Sequence, residues 1–539
     1  MRLILCFSVI SLLLAQSCDS VSKREMPKVK VVSSEAPRFN QKLDSISVKA
    51  WLLTDSSLVD DTALLLRVYR ERNWEAAWTT PLAWSERAYA VISALESIGV
   101  EGVRESFPGL NDLRQRISTG HPPDSGDWKT DIQLSAAFFW YARKTTNAQT
   151  VNAANQSAWY LPRFFPDVNR WVDAVTSNPD NVELLDLGRF VQYVRLRKEL
   201  LRLNRFINTK EWILPDSVLS TSDSISINNS NAVVQRLKVF GDLKGPGPFS
   251  EADIREGIQR FRVRHAMPSD GELDSACIAE LNRSPIELRL QLLVNLERCR
   301  WLQAADAERF LVVNVPDFKL YAFSKGKMEW DMPVVVGEEL WPTVSFAGDI
   351  KQIVLNPYWV VPLSIIRKEL LPKILADKNY LERNEFELID RNGRSVEPRS
   401  IPLKDWAVRD LPYRLQQRPG KNNPLGRMKF HFPNNHAVYM HDTPSKGIFS
   451  KPYRGFSHGC IRLYDGMKVL RFVMGDSAMR LEQVNKRIAS GREHRIPLRL
   501  AMPVRIVYFT AWVDSAGVLQ IRKDLYGRDA VVAKELIGS

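Results

Sequence analysis

The segment Tyr439-Met-His441-Asp442-Thr-Pro-Ser-Lys-Gly-Ile-Phe-Ser-Lys-Pro-Tyr-Arg454-Gly-Phe-Ser457-His458-Gly459-Cys460-Ile-Arg462-Leu463 carries most of the information in this chain. A thiol is a useful nucleophile only as a thiolate, and a nearby imidazole supplies that state by taking the proton. His441 stands at the end of a β-prone run, whereas Cys460 follows a glycine in a turn. Residues 442–456 separate His441 from Ser457, a stretch long enough to bring the chain back beside the strand end. Gly459 lets the backbone approach a carbonyl substrate with no Cβ in the way. The N–H of Cys460 and one neighbouring N–H would then face a developing oxyanion, with Gly459, His458, Asp442 and Ser457 as supporting residues.

Strand patterns surround this segment. Leu311–Val315, Leu320–Phe323, Met332–Val336, Ile353–Leu355 and Ala437–Met440 are short β-prone runs punctuated by Gly, Pro and Asp, and they resume at Arg505–Val513 and Val518–Arg522. Between them, residues 362–430 are polar and include a helical run at Ile365–Leu375, which reads as a capping insertion in a β-rich unit spanning 305–539.

Before Arg309 the periodicity is helical. Leu64, Leu65, Val68 and Tyr69 share one face, Ala90, Ala94, Leu95 and Ile98 another, and the run through Trp140-Tyr141 reads as a buried helix. Residues 41–225 form a helical scaffold without catalytic spacing, completed by a helix within 284–303 that carries Leu288, Leu292 and Leu296. After a Ser- and Asn-rich linker, residues 231–283 form a compact three-helix unit: Val234 and Leu237, then Ile254, Ile258 and Phe261, then Ile278 and Leu281 after the Asp270-Gly271 turn. The fold class expected is multidomain α+β.

With 539 residues, 45% apolar and 25% charged, every domain can bury a core. The formal net charge of +13 suits an anionic neighbour, but no clustered basic tract or nucleic-acid motif accompanies it, so no nucleic-acid partner is expected. Arg2 followed by the apolar run Leu3–Ala15 reads as a secretory signal over 1–17. Ala15-Gln16-Ser17-Cys18 resembles a lipoprotein cleavage site, with Ala15 departing from the usual branched aliphatic. Export to the cell envelope (periplasm), lipidation at Cys18 and a flexible tether over 18–40 are therefore expected. Cys277, Cys299 and Cys460 then remain, an odd number that leaves a free thiol. Cys277 and Cys299 lie among apolar residues, as small buried hydrophobes or as a disulfide.

The His441 and Ser457-His458-Gly459-Cys460 constellation resembles the catalytic motif of the L,D-transpeptidase (YkuD-like) family. Asn356-Pro-Tyr-Trp359-Val-Val-Pro362, Lys368-Glu-Leu-Leu-Pro372 and Tyr526-Gly527-Arg-Asp529 resemble its large scaffold-bearing subgroup. Cys299 departs from that subgroup, whose helix commonly carries an aromatic there. The 231–283 unit resembles the small peptidoglycan-binding domain of cell-wall enzymes, on its leucine-bearing first helix, Gln259-Arg-Phe261 and the turn before Leu281-Asn282. The resemblance implies Cys460 as nucleophile and His441 as base, with the His oriented by the main-chain carbonyl of Asp442. It implies thioacyl transfer from a tetrapeptide stem to the amine of a second stem, giving a 3→3 cross-link. Arg454, Arg462, Tyr439 and Trp359 are candidate substrate-binding residues. Expected partners are stem peptides and glycan, the membrane through a lipid anchor, and other cell-wall synthesis enzymes; no cofactor is expected.

Three other readings compete. His431, His436, His441 and His458 fall close together, as in zinc peptidases, but no His-x-x-x-His pair accompanies them. An L,D-carboxypeptidase would share the thioacyl intermediate and use water. A non-catalytic wall-binding scaffold would leave the Cys–His pair idle.

Overall fold

The computed structural model describes residues 42–54, 61–79, 83–118, 128–150, 152–163, 166–177, 190–207, 231–302, 307–377, 379–397, 413–475 and 478–538. The signal sequence, Cys18, the tether and the 217–230 linker lie outside the described residues.

Helices account for the first half. Thr62–Glu71 buries Leu65, Val68 and Tyr69, and Glu86–Glu96 buries Val91, Ile92 and Leu95. Both pack around Trp128–Thr146, which is apolar on most of its surface, as a central helix must be. Asp131 on that helix is fully buried and satisfied: it accepts from Ala77 N, Trp78 N and the Tyr69 hydroxyl.

The second core is larger than the sequence pattern implied. The helix Val191–Ile207, expected to belong to the scaffold core, packs on Pro285–Trp301 and joins the same apolar cluster as the β-rich domain. The three helices Asn231–Phe240, Glu251–Arg264 and Ser275–Leu281 lie between those two in sequence and also join this cluster. Arg264 pairs with Asp242 at 2.9 Å inside the unit, and Arg522 of the β-rich domain donates to the Arg264 carbonyl at 2.8 Å. The three-helix unit is therefore docked on its neighbours through buried polar contacts. Glu101 ties the scaffold to this core by accepting from Arg197 and the hydroxyls of Tyr141 and Tyr193.

The β-rich domain contains β1 (Trp159–Tyr160), β2 (Arg309–Asn314), β3 (Lys319–Ser324), β4 (Lys327–Gly337), β5 (Ser345–Leu355) and β6 (Trp359–Val360). They are followed by β7 (Phe386–Ile389), β8 (Ser395–Val396), β9 (Arg414–Gln417), β10 (Met428–His431) and β11 (Met440–His441). The last are β12 (Gly455–Ser457), β13 (Ile461–Leu463), β14 (His494–Val507), β15 (Ala511–Val513) and β16 (Leu519–Ile521). The main sheet runs β5-β10-β11-β13-β4-β3-β2-β14, and β14 pairs again with β5, so the sheet closes on itself. Its interior is filled by alternate residues such as Ile353, Phe430, Met440, Ile461 and Val334.

Two expectations need correction. Ala437 lies outside any strand, with φ +54°, and β11 begins only at Met440. Met428–His431 is a strand of the closed sheet, so the capping insertion ends before it. Besides its helical run, the cap holds the sheet β6-β9-β7-β8 with its own small core around Leu388 and Leu415. Its helical run contains a π-turn at Ile366–Leu370, a feature frequent at functional sites.

Where β4 ends, a Cβ on Gly337 would sit 2.0 Å from the Trp341 carbonyl and 2.7 Å from Thr343 N. Gly337→Ala is expected to cost about 3 kcal/mol or more through backbone displacement. Thermal unfolding followed by circular dichroism measures it, and an unchanged midpoint would contradict this packing.

Candidate active site

The parallel pairing of β11 with β13 builds the site. Met440 pairs with Ile461 and His441 with Arg462, and Ile461 N donates to the Tyr439 carbonyl at 3.0 Å. Met440 and Ile461 turn inward, so by alternation Tyr439, His441, Cys460 and Arg462 share the opposite face. Thiol and imidazole are thereby set on adjacent strands of one face.

His441 is buried, and its Nδ1 lies 2.6 Å from the Asp442 carbonyl oxygen. A carbonyl only accepts, so Nδ1 carries the proton and Nε2 keeps its lone pair for the thiol. Burial, reinforced by the nearby Arg462 charge, pushes the imidazole pKa down to about 3. The Asp442 carboxylate takes no part in this contact. It accepts from Arg427 N at 3.1 Å and Lys446 Nζ at 2.7 Å, bracing the loop from behind.

Cys460 is half-buried, and its Sγ faces the Ala437 carbonyl at 3.9 Å. Burial raises its pKa, against the pull of hydrogen bonds from Tyr439 and the charges of Lys429 and Arg462. The resting site is a neutral thiol beside a neutral imidazole. Cys277 and Cys299 are free and buried, not bridged; burial pushes the Cys277 thiol up to about 11 and that of Cys299 higher still. Arg262 stands by Cys277, and Arg298 and Arg300 by Cys299, so cations alone do not set the three apart; Cys460 differs in sharing the β11–β13 face with an imidazole.

The Cys460 turn is pinned from three directions. Ser457 Oγ donates to the Cys460 carbonyl at 2.5 Å and accepts from Gly459 N at 3.2 Å. That contact uses the Gly459 N–H, which is therefore not available to an oxyanion, while the Cys460 N–H has no acceptor among the described residues. Gly459 needs its φ of +100°, a region costly for any side chain. Thr343 Oγ1 donates to the Gly459 carbonyl and accepts from Gly337 N, both at 2.9 Å. Tyr526 donates to the Gly337 carbonyl at 2.6 Å, and Arg528 donates to the Thr343 carbonyl at 3.1 Å. The far C-terminal Tyr526-Gly527-Arg-Asp529 segment thus holds the Cys460 turn in place.

The candidate substrate-binding residues divide. Tyr439 and Arg462 face the site. Arg454 does not: its guanidinium donates to the carbonyls of Val334 at 3.2 Å, Lys451 at 2.7 Å and Phe318 at 3.2 Å, so it braces the loop. Trp359 packs in the cap against Phe386, with ring centroids 6.1 Å apart. His458 points toward the cap, where Nε2 meets Glu369 Oε1 at 2.7 Å, and its ring lies 5.7 Å from that of Trp341. His436 stacks on Tyr160 at 4.8 Å. Among the described residues, no group of three or more His, Cys, Asp or Glu is arranged to hold a metal ion.

Sequence reasoning missed Lys429, Thr343 and Glu369. Lys429 pairs in register with His441, and its Nζ lies 3.8 Å from the Tyr439 ring centroid. Only the alternation within β10 could have placed it on this face, and that strand had been read as part of the cap.

Residues 308–475 match the family described as the L,D-transpeptidase catalytic domain, YkuD. This chain carries an L,D-transpeptidase catalytic domain. Residues 63–200 match the scaffold domain family, which places the helical half beside it. A Haemophilus influenzae protein described as "Putative L,D-transpeptidase" is 32% identical over 241 residues, covering 44% of this chain and 48% of that protein. The match thus spans about half the length of the relative. An L,D-transpeptidase from Mycobacterium smegmatis is similar at 14% identity and TM-score 0.20, over 37% of this chain and 59% of that one. One from Stackebrandtia nassauensis is similar at 14% identity and TM-score 0.19, over 51% and 89%.

The depressed His441 pKa has a consequence for stability. The unfolded chain takes up a proton near pH 6.5 where the folded site resists until about pH 3. Stability from this group is present above pH 6.5 and is lost as pH falls toward 3, amounting to about 2 kcal/mol between pH 7 and pH 5. Urea unfolding of the wild type and His441→Gln at both pH values tests this: the wild type should lose that much more than the variant.

Proposed function

We propose that this chain is a peptidoglycan L,D-transpeptidase that forms 3→3 cross-links in cell wall biogenesis and remodelling, through a thioacyl-enzyme on Cys460. The observation that carries the reading is the Nδ1 contact of His441 with the Asp442 carbonyl, which leaves Nε2 unprotonated on the face shared with Cys460.

As the thiol attacks the carbonyl of the third, diamino-acid residue of a tetrapeptide stem, its proton passes to His441 Nε2. A C–S bond forms and the carbonyl oxygen becomes an oxyanion, toward which the Cys460 N–H is directed. Collapse breaks the C–N bond, and His441 returns the proton to the departing D-alanine amine. The side-chain amine of a second stem then attacks the thioester, His441 takes its proton, and the thiolate leaves and recovers it. Beginning from neutral partners, the site creates charge only during attack.

The chain is exported, in this reading, and anchored to the envelope membrane by a lipid on Cys18, with the 231–283 unit engaging glycan. Other cell-wall enzymes are its partners there.

Mass spectrometry of tetrapeptide muropeptides incubated with the protein tests the reaction. Dimers with loss of D-alanine are expected from the wild type, none from Cys460→Ala, and a rate lower by about 10²–10⁴ from His441→Ala. Tripeptide products without dimers would show an L,D-carboxypeptidase. Unchanged products from Cys460→Ala would end the cysteine mechanism.

A further inference from the structure

His441 has a cation on the neighbouring strand at each side. In register, Lys429 of β10 pairs with His441 of β11, and His441 pairs with Arg462 of β13. Strands lie about 4.8 Å apart, so the two backbone positions are separated by roughly 10 Å, with the imidazole between them. Long side chains span that gap easily. Lys429 leans over Tyr439, on the Cys460 side of the row.

Both cations are half-buried, and among the described residues neither has a carboxylate within ion-pair distance. Two desolvated, unpaired positive charges disfavour folding unless something repays them. Elsewhere in this fold such groups meet a carboxylate or a backbone carbonyl: Arg264 has Asp242, Arg300 has Glu297, Arg522 has Asp317, and Arg528 donates to the Thr343 carbonyl.

We propose that Lys429 and Arg462 form a carboxylate clamp for the terminal carboxylate of the amino acid released in the first half-reaction. The proposal rests on the transpeptidase reading above. Geometry selects this carboxylate among those of a stem peptide. The departing amine must stand at His441 Nε2 to receive its proton, and the carboxyl carbon of that same residue is only two bonds from the amine nitrogen. It must therefore lie beside the imidazole, where the two cations are. A donor extended by one more residue presents a neutral amide at that point, so the clamp selects donors that end one residue after the attacked carbonyl.

Burial lowers the pKa of both groups, as expected for cations awaiting a counter-charge. The cap supplies a partial one: the Glu369 carboxylate, paired with His458, also acts on Arg462. Arg462 and Lys429 differ in what they give. The guanidinium can bind two carboxylate oxygens as a fork, and the ammonium adds a point charge from the other side.

Release of the terminal residue is measured from two synthetic tetrapeptides, one ending in a free D-alanine carboxylate and the other in D-alaninamide. The wild type should prefer the acid by roughly ten- to a hundredfold in kcat/KM, the worth of a charge-assisted contact. Lys429→Met should lose most of that preference by raising KM for the acid, leave the amide within about twofold, and be partly rescued by Lys429→Arg. Equal losses on acid and amide in Lys429→Met would overturn the clamp, since Lys429 would then serve the thiol or the fold. Binding of both peptides to Cys460→Ala, by calorimetry, gives a readout free of turnover. Tighter binding of the acid supports the clamp; equal affinity overturns it. Absence of any release by the wild type would sink the transpeptidase reading, and the binding comparison would still decide the clamp.

Discussion

Parallel hydrogen bonding between β11 and β13 is the constraint from which the site follows. Two adjacent parallel strands cannot be joined by a tight turn, so the chain must leave at His441, loop away and re-enter at Cys460. That excursion lets an imidazole at the end of one strand share a face with a thiol at the start of the next. The Ile461 N to Tyr439 carbonyl bond sets the register. A slip of one residue would send His441 into the barrel interior and Met440 out to solvent.

The loop alone would not hold the thiol in one place. Its ends are fixed by groups far away in sequence: Thr343 on the Gly459 carbonyl, Tyr526 on Gly337, Arg454 on Val334 and Phe318. Each is a donor offered to a backbone carbonyl, so satisfying buried backbone polarity and placing the thiol are one act. The same logic explains Asn356, which sits at φ +48° and donates its amide to the carbonyls of Arg487, Ile488 and Arg492. It anchors the end of the helix Ala478–Ala489 against β5.

Much of the architecture was legible in residue patterns because burial is periodic. Pro285–Trp301 begins at its Ser284 capping box with Pro at the first turn, and its bounds were readable for that reason. The helices of the three-helix unit and strands β2 to β4 were visible in the same way. Strands β10, β12 and β13 were not, because three or four residues carry too little alternation to stand out from loop composition. The cap's sheet was hidden likewise, and the contacts that join the three-helix unit to the main core include Arg522, which lies 258 residues from Arg264.

By itself the sequence determined that one short segment holds a thiol after glycine and an imidazole one loop away. It also determined that the first half is helical and the last half β-rich, since periodicity is local. Tertiary structure alone decided which polar residues face that pair. Arg454 and Trp359 carry the right chemistry but were turned to bracing and packing, while Lys429 was brought in from a strand that no local pattern announced. The physical reason is that facing depends on strand register and on which carbonyls need donors, and both are settled only when distant segments meet.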